Sequence, residues 1–509
     1  KWIREDDVSP ENRKPDRRSL AEFFGFDLDD FQYRAIEIIE RGESVVVAAP
    51  TGSGKTVVGE FGLRRAVEMG RRAFYTTPIK ALSNQKYHDL SAMFGIERVG
   101  LLTGDSVVNP EAAIIVMTTE VLRNMIYARS SALDELCLVV LDEVHFLQDA
   151  YRGPVWEEVI IHLSHEVQLV CLSATVSNAP EVAEWMSIVR GPTRFVIEER
   201  RPVELECQVM VGEKDGIQRI EYRSGETLVA RSADTSPAGV ELKFPGADWK
   251  PVLFHARTER DGGMELGPEK IGALTLRWRI VRLEDMLPTI YFVFSRQGCD
   301  EAAAAVATHV RGLTSQDERL RIGRIVDDRV RDMSEADLDV LDFESFRERL
   351  GSGIASHHAG MIPPFKEAVE RCFAEGLIKV VFATETLAVG INMPARSVVI
   401  DKLTKFNGEH HEFLSAAQFT QLTGRAGRRG LDPKGHAVLL WSPFVSLDQM
   451  VSLALSRSFR LTSSFRPTYN MAVNLIGRYR RAEAKSLLDQ SLAQFQSDRD
   501  IVKVQSRSE

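Results

Sequence analysis

Residues 137–149 read CLVVLDEVHFLQD. An apolar run ends abruptly on two adjacent acids, Asp142 and Glu143, and His145 follows two places later. Neighbouring carboxylates repel each other, and a cation beside them reverses that penalty. An oxygen-seeking divalent ion is the obvious partner, with one acid to hold it and the other to take a proton from water. His145 can be read as a further metal ligand, but the H-E-x-x-H spacing of a zinc pair is absent. It reads better as a link from the acids to their surroundings.

A second stretch supplies the reason for an ion. APTGSGKT, residues 49–56, places Ala49, Pro50, Thr51, Gly52, Ser53, Gly54, Lys55 and Thr56 between an apolar run and a helical pattern. Glycines there let backbone N–H groups turn inward around phosphates, and the following helix adds the positive end of its dipole. Lys55 reaches the β- and γ-phosphates, and the Thr56 hydroxyl ligates Mg²⁺. The usual first glycine of GxxxxGK[ST] is Ala49 here. Thr56, Asp142 and Glu143 thus form the expected Mg²⁺ set for bound ATP. Asp142 holds the ion through water, and Glu143 orients and deprotonates the attacking water.

Phosphoryl transfer also needs positive charge on the transition state. QLTGRAGRRG, residues 421–430, offers Gln421, Arg425 and Arg428 at steps of four and three, so on a helix they share one face. Arg428 is the candidate arginine finger and Arg425 the next choice. Such a group is worth about 10³–10⁵ in rate.

These residues need a scaffold that brings loop ends together. SVVVAAP (44–50), RAFYTTP (72–78), AIIVMTT (113–119), LCLVVLD (136–142) and VQLVCLSAT (167–175) read as strands spaced by helical patterns. TIYFVFS (289–295), GIASHHAG (353–360), IKVVFAT (378–384), SVVIDKL (397–403) and GHAVLLW (435–441) repeat the rhythm. Near-continuous apolar strands alternating with helices predict parallel sheets covered on both faces. The expected fold is α/β, with two tandem parallel-sheet domains over 20–205 and 286–445. Residues 1–19 read as a flexible lead-in. Residues 206–285, with ETLVARS, GVELKF and WKPVLFHARTE, read as a linker or β-rich insertion.

Bulk properties bound the possibilities. The 509 residues allow about three domains at about 150 residues each. Five scattered cysteines form no CxxC pair, which argues against structural zinc and a disulfide framework and fits a reducing, cytoplasmic setting. No apolar run approaches the ~20 residues of a membrane span. The first residue is Lys1, and no signal-peptide pattern precedes the fold, so the chain reads as a fragment or one lacking its start. The net charge of −9 argues against non-specific coating of nucleic acid. Local basic clusters such as GRAGRRG (424–430) and IGRYRR (476–481) still permit a nucleic-acid groove.

The order of these pieces resembles a superfamily-two helicase of the DExH type, over roughly 20–205 and 285–480. TPIKALSNQK (77–86), LLTGD (101–105), TTEVLRNM (118–125), LSAT (172–175), FVFSR (292–296), HHAG (357–360) and ATETLAVGINMPAR (383–396) sit where that family places its motifs. SSFRPTYNMAVNLI (463–476) and LLDQSLAQFQ (487–496) are similar to the Ski-like (superkiller) RNA helicases, with bacterial members of the HelY type most alike.

The resemblance implies two RecA-like domains and the start of a winged-helix region, cut short, over 446–509. It implies that Phe26 stacks on adenine and Gln32 hydrogen-bonds it, and that Gly390 and Asn392 face ATP from the second domain. Ser173, Ala174 and Thr175 would couple ATP state to the domain interface. Pro78, Lys80, Gly104, Thr119, Ser295, Arg296 and Thr384 would line the path of a strand, mostly through phosphate and sugar. His357 and His358 would be structural or strand-contacting rather than a zinc pair. The implied activity is ATP-dependent, 3′→5′ translocation on single-stranded or 3′-tailed RNA by a monomer serving RNA processing or decay. A DNA-repair helicase and an ATP-gated RNA clamp that switches without unwinding are the competing readings.

Overall fold

The computed structural model describes residues 17–210, 218–221, 229–232, 253–254, 286–310, 312–390, 393–406, 410–440, 445, 447–455, 458–478 and 480–498. The chain divides into two compact units. One comprises residues through Arg200 together with those from Ser458 onward; the other is Arg201–Arg457.

The first unit is built on an eight-stranded sheet. Its strands are β1 (Ser44–Ala48), β2 (Arg72–Thr77), β3 (Val99–Leu102), β4 (Val107–Val108), β5 (Ile114–Thr118), β6 (Leu136–Leu141), β7 (Gln168–Ser173) and β8 (Thr193–Ile197). The spatial order is β4-β3-β5-β2-β6-β7-β1-β8, all parallel except the short edge strand β4. Helices α1 (Arg17–Phe24), α2 (Asp30–Glu40), α3 (Thr56–Glu68), α4 (Lys80–Phe94), α5 (Thr119–Ala128), α6 (Gly153–His162) and α7 (Ala179–Arg190) connect them. Successive strand residues point to opposite faces. Val45, Val47, Tyr75, Val140 and Leu172 pack with Phe31, Ile36 and Leu63 from the helices. The residues between them, such as Val46, Phe74 and Val139, are equally buried. Both faces are therefore dry, which is why these strands read as unbroken apolar runs.

The second unit holds a six-stranded, all-parallel sheet. Its strands are β9 (Glu204–Met210), β13 (Thr289–Phe292), β14 (Ile354–His357), β15 (Val380–Ala383), β16 (Ser397–Ile400) and β19 (Lys434–Leu440), in the order β14-β15-β13-β16-β19-β9. Between β9 and β13, strands β10 (Gln218–Glu221), β11 (Val229–Ser232) and β12 (Leu253–Phe254) form a small antiparallel sheet in the order β11-β10-β12. Strands β17 (Thr404–Phe406) and β18 (His411–Phe413) pair antiparallel as a separate two-stranded sheet.

Three sequence expectations are corrected. The first domain does not run to residue 205, because β9 pairs with β19 and belongs to the second sheet from Glu204 onward. The expected insertion therefore starts with a strand of that sheet. Its predicted strand piece GVELKF (239–244) lies outside the described residues, whereas β11 and β12 fall within ETLVARS and WKPVLFHARTE. Finally, 446–509 does not act as one segment. Val445, Met450 and Leu453 are in the core of the second unit, whereas the stretch from Ser458 packs on the first. Among the described residues, no helix is long and apolar enough to cross a membrane.

Candidate nucleotide and nucleic-acid sites

Strand order assembles the first site. β6, β7 and β1 are neighbours and parallel, so the loops after them emerge side by side at the carboxyl edge of the sheet. Ligands bind at such edges. The loop after β1 is 49–56, the loop after β6 opens with Asp142 and Glu143, and the one after β7 carries Ala174 and Thr175. Ala49 N–H donates to the carbonyl of Ser173 at 3.2 Å, which ties two of these loops together.

Within the first loop, Gly52 and Gly54 have φ of +79° and +81°. Only glycine takes up that conformation without strain, and it turns the peptide groups between Pro50 and Lys55 inward. Thr51 and Ser53 complete the turn, whose Ser53 N–H donates to Pro50 at 3.2 Å. Thr56 is the first residue of α3. Lys55 is only 8% exposed, so its charge acts on the acids without much screening.

Asp142 is buried, and both of its oxygens are engaged. Oδ2 accepts from the Tyr75 hydroxyl at 2.7 Å, and Oδ1 accepts from Glu143 N–H at 2.9 Å. Burial, then the charge of Glu143, raises the Asp142 carboxyl above the usual carboxylate range, and Lys55 opposes them. Glu143 lies in the left-handed region at φ +53°. For a non-glycine residue that costs on the order of 1–3 kcal/mol, and such strain gathers at working sites. Hydroxyl and carboxylate oxygens suit Mg²⁺. Among the described residues, no group of three or more His, Cys, Asp or Glu is arranged to hold a metal. Thr56 and Asp142 fit an ion that takes its remaining ligands from phosphate and water, and a cation would also relieve the acid pair.

Nδ1 of His145 lies 3.3 Å from Glu143 Oε2 and 3.4 Å from Ala174 N. It serves one of them at a time: protonated, it donates to Glu143; bare, it accepts from Ala174 N–H. Burial and the charge of Lys55 push the imidazole down to about 3, so the ring is neutral and the Glu143 contact is not an ion pair. This geometry fits a link between the acids and the 173–175 loop. Ser173 Oγ is buried, with no hydrogen-bond partner among the described residues, and Thr175 is also buried.

The adenine expectations divide. Phe26 is 49% exposed. Gln32 is fully buried; its Nε2 donates to Gly54 O at 2.8 Å and its Oε1 accepts from Asp29 N–H at 2.7 Å. It braces the phosphate loop here, and its side-chain amide is already committed.

The strand-path residues cluster within each unit. In the first, Pro78 follows β2, and its carbonyl accepts from Arg152 at 2.8 Å. Lys80 pairs with Asp105, beside Gly104. Thr119 departs from the expectation of an open hydroxyl: it is fully buried and donates to Thr77 O at 3.3 Å, so its hydroxyl supports the end of β2. In the second unit, Ser295 Oγ caps the helix Arg296–His309 by accepting from Gly298 N–H at 3.1 Å. Thr384 N–H donates to His357 O at 3.2 Å, and its hydroxyl meets that of Thr386 at 2.9 Å. His357 and His358 take separate acids, Glu370 and Asp300, each at 2.9 Å. That separation fits structural histidines.

The arginine segment departs most from expectation. Gln421 is helical, but its helix, Ala416–Thr423, stops before either arginine, and Gly427 turns the chain at φ +86°. Arg425 and Arg428 therefore share no helical face with Gln421. Arg425 is buried and donates to the carbonyl of Ala388. Arg428 forms a two-point pair with Asp432, Nε to Oδ2 at 2.8 Å and Nη2 to Oδ1 at 2.9 Å. Gly390 ends the helix Thr386–Gly390, and Asn392 lies outside the described residues.

Sequence reasoning missed Tyr75, whose position in an apolar strand gives no hint of its partner. It also missed the role of the C-terminal stretch. The Ser464 hydroxyl lies 2.9 and 2.6 Å from the carbonyls of Leu147 and Asp149 and donates to one of them at a time, and Ser177 N–H donates to Phe459 O at 2.9 Å. The Phe459 ring meets the His145 ring edge-on at 6.1 Å.

Comparison with known proteins agrees with this layout. The model of the DEAD/DEAH box helicase family matches residues 29–182, and that of the helicase conserved C-terminal domain matches 329–430. The probable helicase HelY of Mycobacterium tuberculosis is 50% identical over 488 residues, covering 94% of this chain and 52% of that protein. The chain is similar to the HelY-type helicases and, more distantly, to superkiller- and mtr4-type DExH helicases. Other relatives include Superkiller complex protein 2 of Homo sapiens, 38% identical over 480 residues (94% of this chain, 38% of that protein). The ATP-dependent RNA helicase mtr4 of Schizosaccharomyces pombe is 36% identical over 500 residues (96% and 43%). The chain spans about half the length of the curated relatives it matches, or less. Its two parallel-sheet units are the tandem RecA-like domains of such helicases.

Proposed function

We propose that this Ski-like helicase chain hydrolyses ATP to move along and separate RNA strands. The observation that carries the reading is the convergence of the 49–56 loop, Asp142–Glu143 and the 173–175 loop on adjacent parallel strands, with the Lys55 charge acting on Asp142. In this reading the 52–56 backbone and Lys55 bind the phosphates, and Asp142 and Thr56 hold Mg²⁺. The ion, when bound, neutralises phosphate charge and orients the reacting group. Glu143 orients the attacking water and accepts its proton. Arg428, after leaving Asp432, or else Arg425, meets the charge that builds on the transferred group. Gln421, Gly390 and Asn392 belong to the same second-domain contribution, and Phe26 stacks on the base.

RNA is the proposed substrate because two of the relatives are named for RNA helicase activity or the superkiller complex. Pro78, Lys80 and Gly104 in the first unit and Ser295, Arg296 and Thr384 in the second supply phosphate and sugar contacts. A role in RNA decay, 3′→5′ polarity, a monomeric state and a cytoplasmic setting complete the proposal. Steady-state ATPase is measured without nucleic acid, with single-stranded RNA, and with DNA of the same sequence at matched salt. RNA stimulation above that by DNA is expected, and both effects fade as salt rises. Equal or stronger stimulation by DNA overturns the RNA assignment in favour of a DNA-repair helicase. ATPase without strand separation on a 3′-tailed duplex favours a clamp.

A further inference from the structure

The helix before Arg425 and Arg428 ends at Thr423, and its last carbonyls reach into the loop, Leu422 O accepting from Arg425 N–H at 3.3 Å and Thr423 O from Ala426 N–H at 3.0 Å. Further grips on the loop come from elsewhere. Ala395 N–H donates to Arg425 O at 2.9 Å, and Gly427 N–H donates to Ala395 O at 2.8 Å. The other support comes from the chain segment just before β9. The Arg201 guanidinium donates to Ala426 O at 3.0 Å and to Thr423 O at 3.3 Å. Thr423 O, at the helix end, already accepts from Ala426 N–H, and a cation there meets the negative end of the helix dipole. Two residues on, Val203 lies against Gly427: a Cβ on that glycine would sit 2.7 Å from Val203 Cγ1. Gly435 closes in as well, since a Cβ there would sit 2.7 Å from Gly427 N.

We propose that Arg201 is a positioning residue for the arginine loop, with Val203 as its floor. The argument rests on the reading that this loop supplies transition-state charge. Arg201 touches no reacting atom. Its described hydrogen-bond acceptors are the two loop carbonyls, and its Nε is buried with no hydrogen-bond partner among the described residues. Burial lowers the guanidinium below the usual arginine range. Both carbonyls flank the turn that aims Arg425 and Arg428, so losing the guanidinium releases the turn while leaving the phosphate loop untouched. Lysine keeps the charge but not the planar fork, so it cannot hold both carbonyls equally well.

The test is a double-mutant cycle on this chain with Mg·ATP and single-stranded RNA. Arg201→Met is expected to lower kcat about tenfold or more, with ATP affinity within about threefold, and Arg201→Lys is expected to recover part of the loss. In an Arg428→Ala background, Arg201→Met should cost little further, because the two act as one unit. Losses that multiply independently, or a fall in ATP affinity matching the fall in kcat, overturn the positioning role and leave Arg201 as a fold-stabilising residue. If Arg201→Met does not fold, the same cycle is read with Arg201→Lys. An Arg428→Ala rate equal to the parent overturns Arg428 as the finger; the cycle is then read against Arg425→Ala, and parent rates in both variants overturn the arginine reading separately from the positioning role.

Discussion

The hydroxyl of Tyr75 donates to Oδ2 of Asp142 at 2.7 Å, although 67 residues separate them. Burial first, then the neighbouring acid, raises the Tyr75 phenol well above its usual range, so it remains a donor across the neutral pH range. A hydrogen bond to a buried charge is worth about 1.5–3 kcal/mol. Tyr75→Phe should therefore loosen the carboxylate expected to hold Mg²⁺. The Mg²⁺ concentration for half-maximal ATPase should rise several-fold, while Mg²⁺-free nucleotide binding stays unchanged. An unaltered Mg²⁺ dependence would show that Asp142 is oriented without Tyr75.

Glu143→Gln keeps the shape of the side chain and removes the base. ATP should still bind, and turnover should fall by orders of magnitude. Single-turnover hydrolysis checks this directly, and near-parent rates would sink the assignment of Glu143.

Lys55→Ala removes the cation from the phosphate loop. Titration with a fluorescent nucleotide should show weakened ATP binding, in contrast to Glu143→Gln. Unchanged affinity would contradict the phosphate-loop reading.

Glu157 on α6 joins the sheet-bearing part of the first unit to that unit's C-terminal stretch. It is fully buried, and it accepts from the Ser463 hydroxyl and from Leu492 N–H, the latter at 2.7 Å. Burial outweighs those donors and pushes its carboxyl up to about 7. The folded chain therefore binds a proton at Glu157 over a range where the unfolded chain, near 4.5, has lost it. This contribution is fully present below about pH 4.5 and is lost as pH rises through about 7, amounting to up to about 3 kcal/mol. The melting temperature of the parent relative to Glu157→Gln should fall between pH 5 and 8. A difference that stays flat with pH would refute the shift.

Several parts of this chain were legible without coordinates because their causes are local. Gly52, Gly54, Lys55 and Thr56 announce a phosphate loop through backbone freedom, charge and a hydroxyl within five residues. The strands ending at Ala48, Leu141 and Ser173 read as apolar runs because both faces of a parallel sheet are dry. What could not be read locally was set by contacts between distant residues. The helix carrying Gln421 had the right spacing to continue through Arg428, but Gly427 turns against Val203 and Gly435, and the loop is set by packing. Thr119 carries a hydroxyl in a motif expected to touch a strand, yet the ladder between β2 and β5 buries it against Thr77. β9 looked like the start of an insertion because its register with β19, from Glu204 opposite Lys434, spans some 230 residues that no local pattern encodes. Ser464 reaches Leu147 across a still longer span, so only the folded chain could show that the C-terminal stretch braces the turn that follows the acids with which the reading began.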